Sequence, residues 1–235
     1  MIEKGPTVAG SGGVPRNPYG GVSAAARVAA RRARLLAAGL QLFGTQGYLH
    51  TTIDQVCAEA GLTKRYFYES FRSCEDLLGA LVRSLWVEAA QRGMAAVATA
   101  PAGLDAQIRQ GIGAVVDYYT GDPRRGRVAF VAAVGISDRI EVQRREYVGV
   151  FTTLLQSYAA ELLGELIPPE RTMRLNAGAL VGAGSELVTE FLLGTVAISP
   201  AELADYLTGL AVAMIGIRPR DVPAAARPGR TGSRS

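Results

Sequence analysis

Residues 51–71 read TTIDQVCAEAGLTKRYFYESF, from Thr51 to Phe71, and hold two short helical patterns that meet across a tight turn. Thr52 carries a hydroxyl suited to an N-cap, and Gln55 follows at N3, where its side chain can reach back. The pair therefore predicts a capping box and a helix start. Ile53, Val56, Cys57 and Ala60 then recur at i, i+3, i+4 and i+7 as one apolar face. Gly61 stops this helix, because the bend favours a residue that tolerates positive φ. Leu62 is placed to plug the angle, and Thr63 to cap a second helix running from Lys64 to about Ser70. Only Ala60 to Thr63 remain for the turn, a length that fits a helix-turn-helix.

In the second helix Phe67 and Phe71 turn inward, which leaves Lys64, Arg65, Tyr66, Tyr68 and Glu69 projecting outward. Lysine and arginine neutralise phosphates, arginine can also read guanine in a two-point contact, and a tyrosine hydroxyl can fix the backbone register. Thr51 and Thr52 offer hydroxyls and free N–H groups to a further phosphate at the start of the preceding helix. Arg72 adds a cation just beyond Phe71. The candidate DNA contacts are thus Thr51, Thr52, Thr63, Lys64, Arg65, Tyr66, Tyr68 and Arg72, with double-stranded DNA as the partner. A solvated basic turn in an ordinary helical bundle would not need two tyrosines beside two cations.

The run from Arg34 to Leu78 resembles the N-terminal domain of TetR-family transcriptional regulators, over about a fifth of the chain. RLLAAGLQLFGTQGY, from Arg34 to Tyr48, fits the family's first helix with its closing aromatic and glycine. Phe67, Tyr68, Phe71, Glu75, Asp76 and Leu77 match the aromatic recognition helix and the acidic-Leu step after it. Two positions depart from the pattern. Ser70 stands where many members have Tyr or His, and Cys74 where many have Lys, so backbone anchoring falls to Arg65 or Arg72. The resemblance implies an all-α fold, with an N-terminal three-helix helix-turn-helix domain and a larger C-terminal helical domain for ligand binding and dimerisation. It also implies a homodimer built on the last two helices, and a ligand-operated switch that releases a palindromic operator.

Composition agrees with this organisation. The chain has 235 residues, enough for one small and one larger domain. Residues 1–23 and 218–235 read as disordered tails, the second one basic; 24–78 read as the helix-turn-helix domain and 79–217 as the effector and dimerisation domain. Seven basic residues oppose five acidic ones over 24–78, against eleven and fourteen over 79–217, so the DNA end is the basic end. Arg27, Arg31, Arg32 and Arg34 on the first helix are placed for flanking phosphates or for a solvated face. The apolar runs 177–181 and 207–217 are shorter than the ~18 residues a membrane span needs. The start of the chain is Gly/Pro-rich rather than apolar, which does not fit a secretory leader. Cys57 and Cys74 lack metal-ligand spacing and read as free thiols in a reducing, cytoplasmic compartment.

Beyond Leu78, turn signals at Pro101, Gly121-Asp122-Pro123, Ser137-Asp138, Pro168-Pro169 and Ser199-Pro200 divide the chain into five or six further helices. The fourth helix should run from Glu75 to about Thr99, with Leu77, Leu78, Leu81, Leu85 and Trp86 on a face that packs on both domains. A helix from about Ile140 to Leu166 carries Tyr147, Phe151, Leu154, Tyr158 and Leu162, a stripe that reads first as core. The last two helices, about Arg171–Leu193 and Ala201–Ile217, are rich in Gly, Ala and Leu. Candidate pocket residues for an unknown small-molecule effector are Trp86, Tyr118, Phe130, Tyr147 and Phe151, with Glu186 and Glu190 as polar contacts.

An enzyme would need an acid–base pair or nucleophile in a pocket, yet the single histidine, His50, lies beside the threonines of the reading motif. No phosphate loop, metal-spaced His/Cys set or nucleophile elbow occurs, so the expectation is a non-enzyme without cofactor or metal. The alternative is a ligand- or protein-binding helical dimer that has lost specific DNA binding.

Overall fold

The computed structural model describes residues 23–133, 135–164 and 168–216, and among these every regular element is helical. In chain order they are α1 (Ala24–Thr45), a 3₁₀ turn (Tyr48–His50), α2 (Ile53–Ala60), α3 (Lys64–Ser70), α4 (Cys74–Ala98), α5 (Leu104–Thr120), α6 (Pro123–Gly126), α7 (Asp138–Leu163), α8 (Glu170–Leu193) and α9 (Pro200–Gly216). A π-helical segment, Arg127–Ala132, continues α6 without a break. The expected tails lie outside the described residues, except that Ser23 caps α1, its hydroxyl accepting from the Ala26 amide at 3.1 Å.

The capping box forms as the sequence predicts. Thr52 Oγ1 accepts from the Gln55 amide at 3.3 Å, and Gln55 Oε1 accepts from the Thr52 amide at 2.9 Å. Gly61 takes φ 59° and ψ 41°, the left-handed conformation that turns the chain. Thr63 occupies the cap position of α3 in extended conformation, but its side chain makes no capping bond. Serine caps also set two boundaries a little earlier than expected. Ser73 starts α4 at Cys74 by accepting from the Asp76 amide, and Ser137 starts α7 at Asp138 by accepting from the Ile140 amide. α7 stops at Leu163, where Gly164 adopts φ 51°.

Leu35 and Phe43 of α1, Val56 of α2 and Phe67 of α3 close the small core, and Leu77 and Leu78 of α4 join it. Each such side chain contributes roughly 1.5–3 kcal/mol by leaving water. The same buried cluster continues along α4 through Leu81, Leu85 and Trp86 to Tyr119 of α5 and Val188 of α8. α4 and α5 run antiparallel, Trp86 lying beside Tyr119 and Gly93 beside Gly111. α7 runs parallel to α4, with Ile140 beside Gly79 and Phe151 beside Trp86. α8 and α9 are antiparallel, Gly184 facing Leu207 and Asn176 donating to the Met214 carbonyl at 2.8 Å.

α6 docks on α1 at one narrow place. A Cβ on Gly44 would lie 2.6 Å from Cβ and 2.9 Å from Cα of Arg124. Gly44→Ala is therefore expected to cost ~1–3 kcal/mol through overpacking against backbone. Gly113→Ala meets nothing within 4 Å in α5 and should be neutral or stabilising by up to ~1 kcal/mol. Urea unfolding of both variants checks the pair, and equal midpoints would refute the close approach.

Candidate functional site

The exposed face of α3 carries Lys64, Arg65 and Tyr68, while Phe67 is fully buried behind them. The Arg65 side chain is 85% exposed and touches only Glu69, at 3.5 Å, so it is the cation freest to reach outward. Tyr68 is 57% exposed with its ring edge against Phe67. Lys64 is exposed but bonds Asp54 of α2 at 2.8 Å, and this bond raises its pKa. Thr52 and Thr63 are exposed at the starts of α2 and α3, and Arg72 is exposed beyond α3, its amide donating to Asp76 at 3.0 Å.

Two expected contacts look different in the fold. Thr51 is buried; its hydroxyl donates to the Gly47 carbonyl at 2.8 Å and accepts from Gln46 Nε2 at 3.2 Å, so it is spent inside the domain. Tyr66 is half-buried under Arg31, whose guanidinium carbon sits 4.5 Å from the ring centroid. The arginines of α1 explain why. Arg31 also bonds Glu69 at 3.2 Å, Arg32 lies over the Phe71 ring at 4.8 Å, and Arg34 donates to the Gly61 carbonyl at 3.1 Å. Three cations placed by sequence reasoning on flanking phosphates or a solvated face instead clasp the α2–α3 corner and fix the angle at which α3 is presented. His50 ends the 3₁₀ turn, with its carbonyl accepting from Gln46 Nε2 at 2.9 Å.

A cavity of about 230 Å³ lies within the helices from α4 to α9. Trp86, Tyr119, Phe130 and Phe151 form its inner end. Phe130 stands edge-on to Trp86 at 5.6 Å and tilted on Tyr119 at 4.7 Å, and Phe151 stands edge-on to Trp86 at 5.7 Å. Trp86 is 6% exposed, and its Nε1–H has no oxygen or nitrogen acceptor among the described residues. Leu154, Val181 and Met173 continue the wall. Gln107, Tyr158 and Asn176 supply polar atoms at the end made by the close of α4 and α7 and the start of α5 and α8.

Three of the seven expected pocket residues, Trp86, Phe130 and Phe151, line this cavity. Tyr118 does not. One step round α5 from Tyr119, it donates to Glu88 at 3.0 Å between the guanidinium groups of Arg92 and Arg125. Glu186 is exposed on the outer face of α8, and the Glu190 carboxylate accepts from the Thr195 hydroxyl at the helix end, so neither carboxylate reaches the lining. Tyr147 falls in α7, but its side chain is outside the described residues. Tyr119 was legible in principle, because Ile108, Ile112, Val115 and Tyr119 recur at three- and four-residue steps that pass Tyr118 by.

The junction between the two halves is ionic. Arg139 of α7 bonds Glu75 at 2.9 Å and also Asp76, and the Ser137 hydroxyl donates to Glu75 at 2.7 Å. Ser137 and Arg139 hold Glu75 below the usual carboxylate range, and Arg139 does the same for Asp76. A carboxylate whose folded pKa is depressed stabilises the fold above its unfolded pKa and loses that contribution as pH falls through the folded value. Arg139→Met should therefore lower stability at neutral pH, and its difference from wild type should shrink below about pH 4. Urea denaturation across pH 2 to 7 tests this, and a pH-independent difference would refute it.

Residues 35–81 match the family model described as bacterial regulatory proteins, tetR family. No curated protein matches. Similar solved structures include the transcriptional regulator FadR from Bacillus subtilis in complex with stearoyl-CoA, at 17% identity and TM-score 0.69, covering 79% of this chain and 99% of that one. The fatty acid degradation regulator FadR from Bacillus halodurans aligns at 14% identity and TM-score 0.65, over 79% and 95% of the two chains. A TetR-like transcriptional regulator from Rhodococcus sp. RHA1 aligns at 21% identity and TM-score 0.54, over 80% and 97%. At these identities the structures establish the fold, while the family match spans the second half of α1, the helix-turn-helix and the start of α4. Residues 35–81 thus match the N-terminal domain of the tetR family of bacterial regulatory proteins, and the chain shares the fold of these solved regulators.

Proposed function

We propose that the protein is a cytoplasmic, homodimeric, sequence-specific DNA-binding repressor, released from a palindromic operator when a small molecule fills the cavity between α4 and α9. In this reading residues 24–78 form the reading head and 79–217 the effector and dimerisation domain. The observation that carries it is the continuous α4, whose first turns pack on α1, the helix that clasps α3, and whose later turns line the cavity. The FadR complex with stearoyl-CoA supports a ligand that carries a long apolar chain. No helix of the described residues is long and apolar enough to cross a membrane.

A dimer suits one short recognition helix, since two-fold symmetry doubles the site read and spaces the half-sites by whole DNA turns of ~34 Å. The outer faces of α8 and α9 support it. Leu175 and Leu193 on α8 and Tyr206 and Val212 on α9 are exposed, and a Cβ on Gly178, Gly182 or Gly209 would meet open space. Tyr206→Glu should shift the protein toward monomer in sedimentation equilibrium while leaving its helical content unchanged.

Binding is tested by fluorescence anisotropy with DNA flanking the protein's own gene beside random duplex, at two salt concentrations. Preference for one short palindrome is the expected result; equal, weak, salt-sensitive binding to duplexes drawn from across the genome would favour the ligand-binding dimer that no longer reads DNA. Lys64→Ala should weaken binding to all sequences and lower the salt slope by about one unit. Arg65→Ala should in addition relax sequence preference, and identical behaviour of the two variants would sink the assignment of Arg65 as a base reader.

A further inference from the structure

The cavity is apolar almost throughout, and among the described residues no Lys, Arg, Asp or Glu side chain contributes to its lining. Its aromatic end lies deep, where α4, α5 and α7 meet the π-helical segment through Trp86, Tyr119, Phe151 and Phe130. Gln107, Tyr158 and Asn176 gather at the opposite end of the bundle. Asn176 spends its amide donor on the Met214 carbonyl, which leaves its side-chain oxygen as an acceptor. The cation nearest in sequence to Gln107 is Arg109, which is exposed and tied to both Asp105 and Asp205. Arg171 and Arg174 are exposed on α8 and lie outside the lining.

An ionised group has no opposite charge among the described residues of this chamber, and moving it there unpaired from water is unfavourable. Hydroxyl, carbonyl and amide groups face no such penalty where Gln107, Tyr158 and Asn176 can exchange hydrogen bonds with them. The deep end adds one unspent donor, the Trp86 indole N–H, buried and without an acceptor among the described residues. An oxygen carried along an otherwise apolar ligand would satisfy it, after a small shift of the rings around it.

We propose that this cavity selects an uncharged lipophilic molecule, of the class of long-chain alcohols and their neutral carbonyl derivatives, and that it discriminates against the corresponding carboxylates and coenzyme A thioesters. The apolar body rests against the aromatic end, and the hydrogen-bonding head lies among Gln107, Tyr158 and Asn176. The cavity of about 230 Å³ has room for a medium-length chain. The inference rests on the reading of this chamber as the effector site and specifies what enters it.

Trp86 is the only tryptophan of the chain, so its emission reports occupancy directly. The full-length protein is titrated with n-decanol, decanoate and decanoyl-CoA below their micelle concentrations, following Trp86 fluorescence and calorimetric heat. Decanol is expected to saturate the signal, with decanoate and decanoyl-CoA about a hundredfold weaker. Gln107→Arg, at a half-exposed position, is expected to raise decanoate affinity about tenfold and so to narrow the advantage of decanol. Decanoate or decanoyl-CoA binding as tightly as decanol overturns the proposal, as does failure of all three to bind. An unchanged decanoate affinity in Gln107→Arg overturns the placement of the head. Release of labelled operator DNA is measured alongside. Saturation by decanol without release upholds the ligand class and refutes the release mechanism instead.

Discussion

One helix belongs to two cores. α4 buries Leu77 and Leu78 against the reading domain and, within three turns, buries Leu85, Trp86 and Ala89 in the larger one. A helix of 25 residues spans ~37 Å and is stiff on that scale, so its first turns cannot tilt without its later turns following. Close packing supports this coupling: a Cβ on Gly93 of α4 would lie 3.1 Å from Val115 of α5, and one on Gly111 of α5 would lie 2.7 Å from Val97 of α4. Under the proposed release mechanism, a change in the chamber would reach α3 through α4 and then α1, the helix on which both α4 and α3 pack.

The helix-turn-helix was readable because its determinants are local. A capping box, an apolar quartet and a glycine at the bend lie within ten residues of one another, and each acts on backbone only a turn away. The arginines of α1 were not readable in the same way. Basic residues on a helix beside a DNA-reading motif fit a phosphate footprint equally well, and only the fold shows that Arg34 reaches the Gly61 carbonyl across 27 positions of chain. Their role is consistent with the shortness of α3. Seven residues are too few to hold an orientation by helix packing alone, and Arg31, Arg32 and Arg34 supply contacts from a second helix to Tyr66, Glu69, Phe71 and the turn.

The chamber was legible only in part, and the pattern of success follows from helix geometry. Trp86 and Phe151 sit in register with the apolar faces of their own helices, so periodicity assigns them inward. Phe130 reached the lining through a π-helical segment, whose wider turn no 3.6-residue period anticipates. Tyr118 and Tyr119 are adjacent and therefore point about 100° apart, which forces one of them out of the chamber. The excluded ring found a polar setting instead. Burial, and then the charge and hydrogen bond of Glu88, push the Tyr118 phenol well up, while Arg92 and Arg125 close over its faces. Glu186 and Glu190 failed for a related reason. Their four-residue spacing places both on one face of α8, but Val181 and Val188 occupy the inward face, and the glutamates fall on the other.

The π-helical segment bears on how a filled chamber differs from an empty one. Phe130 projects from it against Trp86 and Tyr119, while α6, continuous with it, holds α1 through Arg124, which donates to Gln41 and crowds Gly44. Asp122 fixes the Arg124 side chain by a two-point bond, both contacts at 2.8 Å, so the guanidinium is a rigid extension of the α6 backbone. Under the proposed release mechanism, a ligand seated on Phe130 would act on the reading domain by a second route, through α6 to α1, besides the route through α4. Two routes that converge on α1 and α4 constrain the same small domain from both sides. A ligand that moved only one would strain the contact kept by the other, so the two shifts must occur together. The resulting effect on DNA affinity is bounded by the ligand's preference for one arrangement over the other, ~1–3 kcal/mol for a typical coupled pair of sites.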